Sequence, residues 1–449
     1  MTLSGNHLTP AGLNEAMEGL AQCTRHGIAL DLSSNALNSL PPALLETGSS
    51  LVELRLNMNP LGSVPTALAR LKGLMHLGVA RCGLSELPAD IVTGLPRLET
   101  LDVARNHLRT LPPPASKSQL TRLFAAFNQL EEIDTGYLKL PLIELDLSHN
   151  ELGSWPSGLG AGGILERIIL HHNRITALPP AASKVASAEG LRELLLDHNC
   201  IETISGVTIE CCDLSLSHNP LSACDLKSGL KKLAAQTVSL SSLGITALPT
   251  IGSRCEALMA PGNSIATIEW PNLHACRASL TILNLSNNQL TSLPEQIGSC
   301  PRLLELLVGY NRLSSLPASF SKLTSLVCLA LSGNRFTAVP EPTLSMASLQ
   351  WLWLSNNSIS TLPPKLHALS KLQSLQLNDN LLTALDVQLP DSLLELDVSH
   401  NQLTELPETF RMPNGAEVGH ASQNAAEKGT SGTRHLFTAP TPDPYSYTD

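Results

Sequence analysis

One asparagine recurs along this chain at a nearly fixed interval, and that interval decides what the chain can fold into. Aligned on it, Leu54-x-Leu56-x-x-Asn59-x-Leu61-x-x-Val64-Pro65 matches Leu283-x-Leu285-x-x-Asn288-x-Leu290-x-x-Leu293-Pro294 and Leu396-x-Val398-x-x-Asn401-x-Leu403-x-x-Leu406-Pro407. The register runs Asn6, Asn35, Asn59, Cys82, Asn106, Asn128, Asn150, Asn173, Asn199, Asn219, Leu243, Asn263, Asn288, Asn311, Asn334, Asn357, Asn380 and Asn401. That makes eighteen repeats, sixteen of them with asparagine, and from Asn288 to Asn380 every step is 23 residues. Chance does not produce this. A chain of 449 residues would otherwise suggest two or three globular domains, but a short repeat builds a solenoid whose units contact only their neighbours.

The spacing carries its own physics. In Leu-x-Leu, alternate side chains of a short strand point inward and the one between points out. No repeat can bury its leucines alone, so strands must stack in parallel, one per repeat. Aromatics are only 3% against 43% apolar residues, so the core is aliphatic. The asparagine amide both donates and accepts, and can satisfy backbone groups left unpaired where the chain turns inward. A leucine in that slot, as at Leu243, makes no such bond. Proline after the next leucine suits an extended or turn segment on the outer side.

These residues resemble the leucine-rich-repeat family and its LxLxxNxLxxLP signature. The resemblance implies an α/β fold: a leucine-rich-repeat solenoid, or horseshoe, of about eighteen repeats with a parallel β-sheet on its concave face. The 23-residue period with its recurring Leu-Pro is most similar to the Ras-suppressor type of cytosolic scaffold. That likeness implies a non-catalytic scaffold or adaptor in small-GTPase or phosphatase signalling. Secreted relatives usually carry cysteine-rich end caps. Here ten cysteines include no CxxC pair, and Cys211, Cys224, Cys255 and Cys300 fall where the repeat has leucine. Cysteine therefore reads as a small buried hydrophobe. With the polar start Met1-Thr2-Leu3-Ser4-Gly5-Asn6, this leads to the expectation of a cytoplasmic protein.

The solenoid is expected over residues 1–412, and residues 413–449, without apolar period, as a disordered tail. Steps of 26, 20, 24, 20 and 25 residues mark an irregular middle at 181–280. The first step is 29 residues and places Leu13, Ala16, Met17 and Leu20 at helical spacing.

Catalytic motifs are scarce. Gly158-x-Gly160-x-x-Gly163 matches a dinucleotide loop but lacks the strand before and helix after that such a loop needs. Arg434-His435-Leu436-Phe437 only faintly resembles a phosphatase-docking motif, with His435 where an aliphatic residue is wanted. The sequons at Asn284 and Asn356 are near chance in number. A net charge of −10 disfavours nucleic acid as a partner, and no apolar stretch is long enough to cross a bilayer. The expectation is a non-enzyme with no cofactor and no metal, binding a protein partner on the concave face. The alternative is the regulatory repeat region of a larger kinase, phosphatase, GTPase or ubiquitin ligase.

Two outward clusters are candidate contact surfaces. Leu307 and Tyr310 with Trp351 and Trp353 place aromatics, which dominate binding hot spots, around the small apolar Cys328 and Ala330. Phe124 and Phe127, with Ile169 and Leu195, form a lesser patch. Immediately before the asparagines stand His149, His172, His198 and His218, beside His171 and near Asp146, Asp197 and Asp213. Of these, His172 and His198 are taken as contact residues; the column, with side chains about 5 Å apart, is read as solvated imidazoles in preference to a metal or proton-sensing site, because a straight column does not guarantee converging ligands.

Overall fold

The computed structural model describes residues 1–14, 27–46, 50–159, 165–183, 190–204, 206–221, 226, 230–404 and 417–418. The chain forms two compact units, Met1–Gln236 and Thr237–Asp449.

In the first unit the strands Ile28–Asp31, Leu51–Arg55, His76–Gly78, Thr100–Asp102, Arg122–Phe124, Glu144–Asp146, Arg167–Ile169, Glu193–Leu195 and Asp213–Ser215 pair in parallel, each with the next. In the second unit the same order holds for Thr237–Ser239, Ala257–Met259, Ile282–Asn284, Glu305–Leu307, Cys328–Ala330, Trp351–Trp353, Ser374–Gln376, Glu395–Asp397 and Glu417–Val418. The last of these lies inside the stretch expected to be tail, so parallel pairing continues past residue 412. Register follows the repeat: Leu283, Leu306, Leu329, Leu352, Leu375 and Leu396 stand side by side and all are buried.

The asparagine does what its chemistry suggests. Asn311 Nδ2 donates to Leu285 O of the preceding repeat at 3.0 Å and to Val308 O of its own at 3.1 Å. Its Oδ1 accepts from Leu290 N at 2.9 Å. One amide thus staples two repeats. Asn173 repeats the pattern with Leu147 O, Leu170 O and Leu152 N. At Cys82 only a thiol is available, and Sγ reaches Leu56 O at 3.2 Å. Leu61 N, which an amide oxygen at residue 82 would have received, turns to Asn59 O at 2.8 Å.

Where a repeat carries Leu-Pro or Val-Pro, the pair ends the strand side and opens the outer segment. Pro65, Pro294, Pro317, Pro340 and Pro363 are extended, and each precedes a five-residue 3₁₀ helix. Short 3₁₀ turns suit a 23-residue period because they return the chain in few residues.

The irregular middle acquires strands of its own away from the main ladder. Ala177–Leu178 pairs with Thr203–Ile204, and Val207–Glu210 pairs with Leu230–Ala234. Residues 10–14 are helical or at a helix end and Leu13 is buried; Ala16, Met17 and Leu20 lie outside the described residues. Gly160, Gly163, Cys224 and the 434–437 motif also lie outside them. Cys82, Cys211, Cys255 and Cys300 are buried, and burial pushes the Cys211 and Cys255 thiols up to about 12.

Candidate functional site

The residue before each ladder position has a positive φ in all eighteen repeats, from Gly5 at 70° through Phe127 at 55° and Tyr310 at 52° to His400 at 53°. The left-handed region is where the strand stops and the asparagine is swung into the core. Glycine occupies three of these slots, at Gly5, Gly262 and Gly333. Histidine, asparagine and aspartate, which tolerate this region better than most residues, occupy many others. The backbone thus accounts for much of the histidine run.

Adjacent slots then place their side chains in contact. Phe127 and His149 stack with centroids 3.8 Å apart and planes 12° from parallel. His149 stacks on His172 at 4.1 Å, His172 on His198 at 4.2 Å, and His198 on His218 at 4.1 Å. The Arg105 guanidinium covers the other end, 3.9 Å from the Phe127 centroid. The rings expected about 5 Å apart therefore stand face to face and in contact, while His172, His198 and His218 remain exposed. Spacing alone missed this because the left-handed backbone turns each ring flat against its neighbour. Burial, then His171 and Arg105, lower the His149 pKa against the opposing pull of Asp146. Burial, then His149, His198 and His171, lower that of His172 to about 4.

Beneath the stack runs a row of alternating charge. Arg167 reaches Glu144 at 2.6 Å and Glu193 at 2.9 Å, and Arg122 approaches Glu144 at 3.8 Å. The lesser apolar patch is broken: Phe124, Ile169 and Leu195 are half-buried, but Asp146 stands between Phe124 and Ile169 in register. Phe127 belongs instead to the stack.

The second unit presents a different face. Tyr310 is 52% exposed and Trp351 37%. Leu307, expected to be outward and accessible, is only 1% exposed. It does face away from the leucine core, but Trp353, two strands on and in register with it, lies half-buried over Leu307, Cys328 and Ala330. Sequence offsets give the side of the sheet; they do not say that a large neighbour covers a small one. Tyr310 settles over the next slot, Gly333, where a Cβ would come within 2.5 Å of the ring.

Comparison with known proteins agrees with this architecture. The leucine rich repeat family models match residues 278–336, 325–382 and 392–412. A leucine-rich-repeat protein of Leptospira interrogans superposes with a TM-score of 0.68 at 25% identity, over 89% of this chain and 95% of that one.

The chain is a leucine-rich-repeat solenoid.

A plant peptide hormone receptor in complex with the peptide RGF2 is a second leucine-rich-repeat neighbour, with a TM-score of 0.55 at 25% identity, over 83% of this chain and 67% of that one. Among curated leucine-rich-repeat relatives, human podocan-like protein 1 is 30% identical over 320 residues, 65% of this chain and 57% of that protein. Keratocan of Danio rerio is 29% identical over 222 residues, 46% of this chain and 58% of that protein. The chain thus spans under two thirds of their length. These relatives are non-catalytic repeat proteins. They are also secreted proteins of the extracellular matrix, which overturns the expectation of a cytoplasmic location. The cysteine argument behind that expectation fails for a physical reason. A cysteine in a leucine slot is selected for packing, and says nothing of the compartment. The relatives lend no support to the Ras-suppressor subclass. Among the described residues no helix is long and apolar enough to cross a membrane.

Proposed function

We propose that this leucine-rich-repeat solenoid is a non-catalytic scaffold that holds a protein partner against the exposed sheet face of its second unit, with Tyr310 and Trp351 as anchors. The observation that carries the reading is two exposed aromatic rings beside a small apolar floor already sealed by Trp353. Such a floor is rigid before binding, so little side-chain freedom is lost when a partner covers it. Large rings on a sheet face, ringed by small and polar Ser332, Gly333, Ser355 and Asn356, let another backbone approach closely. The peptide complex of the plant receptor supports a protein or peptide as the ligand class. His172, His198, Phe124 and Phe127 form a second contact surface in this reading. A setting in small-GTPase or phosphatase signalling rests on the Ras-suppressor resemblance.

The test is affinity capture with the full chain and with Tyr310→Ala plus Trp351→Ala, partners being identified by mass spectrometry. Losing a hot-spot aromatic costs about 2 kcal/mol or more of binding, roughly thirtyfold. The expected result is loss of at least one partner from a variant whose far-UV spectrum is unchanged. Retention of every partner would move the site to Phe127 and the imidazole stack.

A further inference from the structure

We propose that His149, His171 and His172 form a binding site for one zinc ion. This inference goes beyond partner binding and stands whether or not the Tyr310–Trp351 face has a partner.

Each of the three imidazoles offers a ring nitrogen, and these atoms lie within 4.8 Å of one another. A straight column of histidines would not do this, since parallel rings direct their lone pairs in parallel. His149 and His172 are such a pair, stacked at 4.1 Å and 19°. What creates convergence is His171, one position earlier on the same repeat. Its ring stands edge-on to both, 90° from His149 and 79° from His172.

The Nδ1 atoms of His171 and His172 are 2.9 Å apart. Two lone pairs do not face each other at that distance, so one ring keeps its proton there and donates it to the other. Zinc can take that proton's place. The displaced proton is replaced on Nε2 of the same ring, so both rings remain neutral and both Nδ1 lone pairs face the ion. Tetrahedral zinc with Zn–N bonds near 2.0–2.1 Å sets its ligand nitrogens about 3.3 Å apart. The His171–His172 pair must open by only a few tenths of an ångström to meet that.

His149 completes the set by turning about χ2, a broad torsion in histidine that needs no rotamer change. The turn gives up part of its stacking on His172, which places the affinity below that of closed structural zinc sites. The backbone around the site is fixed. His149 and His172 occupy left-handed slots, and the adjoining Asn150 and Asn173 are locked by ladder bonds to Leu147 O. Phe127 backs the outer face of the His149 ring and His198 that of His172. Three protein ligands leave a fourth position to water, as in zinc sites that remain open.

The experiment is calorimetric titration of zinc chloride alone into the full chain near neutral pH, with accessible thiols alkylated beforehand. One saturable site of micromolar affinity or tighter is expected. His171→Ala and His172→Asn should each weaken it by at least about tenfold, since even outer-shell losses reach that size. Asparagine at position 172 keeps a residue that tolerates positive φ. His218→Asn removes the far end of the same stack and should leave the affinity within about twofold, as it supplies no ligand. Absence of saturable binding in the wild type overturns the proposal. So does undiminished binding in His171→Ala, or an equal loss in His218→Asn. Far-UV spectra and melting of the variants show that the fold is intact.

Discussion

The same backbone slot is used in opposite ways by the two units. In the first unit, five consecutive slots carry rings, from Phe127 to His218, and each ring leans on the next. In the second unit, Tyr310 is followed by Gly333, and its ring lies down over the glycine. The strands beneath differ too: paired Arg167, Glu144 and Glu193 in the first unit, Leu307, Cys328 and Ala330 sealed by Trp353 in the second. The ladder under both is identical. The repeat therefore fixes where a surface side chain starts, and the size of its neighbour fixes where it ends.

The largest effect should come from the part the two faces share. Asn173→Ala under the stack and Asn311→Ala under the aromatic face each remove an acceptor for a buried amide and donors to two carbonyls. Both should lose about 1–3 kcal/mol, toward the upper end. Denaturant melts of each variant check this. A clear inequality would mean that one face contributes to its own ladder. By contrast Asn287, outward and exposed, should cost under about 0.5 kcal/mol when changed to glycine.

Next in size is Trp353→Ala, which separates the two faces. It should cost about 2 kcal/mol, below the range for fully buried aromatics because the indole is only half-buried. It should also open Cys328 to alkylation under native conditions, read by peptide mapping. A Cys328 that stays protected would show that Trp353 is not its cover. His198→Asn in the stack should cost no more than about 1 kcal/mol.

The smallest effect is a pH dependence confined to the stack. His149 and His172 have pKa values lowered in the folded chain, His172 to about 4 from 6.5. Between those values the unfolded chain binds more protons than the folded one, so stability falls as pH drops from about 6.5 toward 4. The melting temperature of the wild type should therefore decline more steeply over that window than that of His172→Asn. Parallel declines would show that the histidines titrate independently of folding.

The ladder explains why so much of the fold is legible in sequence. Asn59, Asn288 and Asn401 announce themselves because a short amide supplies two N–H donors and a carbonyl acceptor at once, which a hydroxyl does not, and the flanking leucines follow by period. The short pairs Ala177–Leu178 with Thr203–Ile204 and Val207–Glu210 with Leu230–Ala234 break the period and leave no such mark. The surfaces are half legible. Offsets place Trp351, Tyr310 and His172 on the correct side of the sheet. They do not reveal that Leu307 is roofed over or that Arg105 caps Phe127, because those outcomes depend on side chains one or two repeats away in space and more than twenty residues away in sequence.

The left-handed slot also acts as a filter on the chain's vocabulary. Across eighteen repeats it holds glycine, serine, methionine, arginine, phenylalanine, histidine, asparagine, tyrosine and aspartate, and never valine, isoleucine, threonine or proline. The first three of those excluded are branched at Cβ and clash in this conformation, and the last cannot reach it. A randomised library at these positions should return the same alphabet whatever target it is selected against. The solenoid thus offers a row of regularly spaced sites that can be rewritten one at a time, with spelling rules set by the backbone before any partner is met.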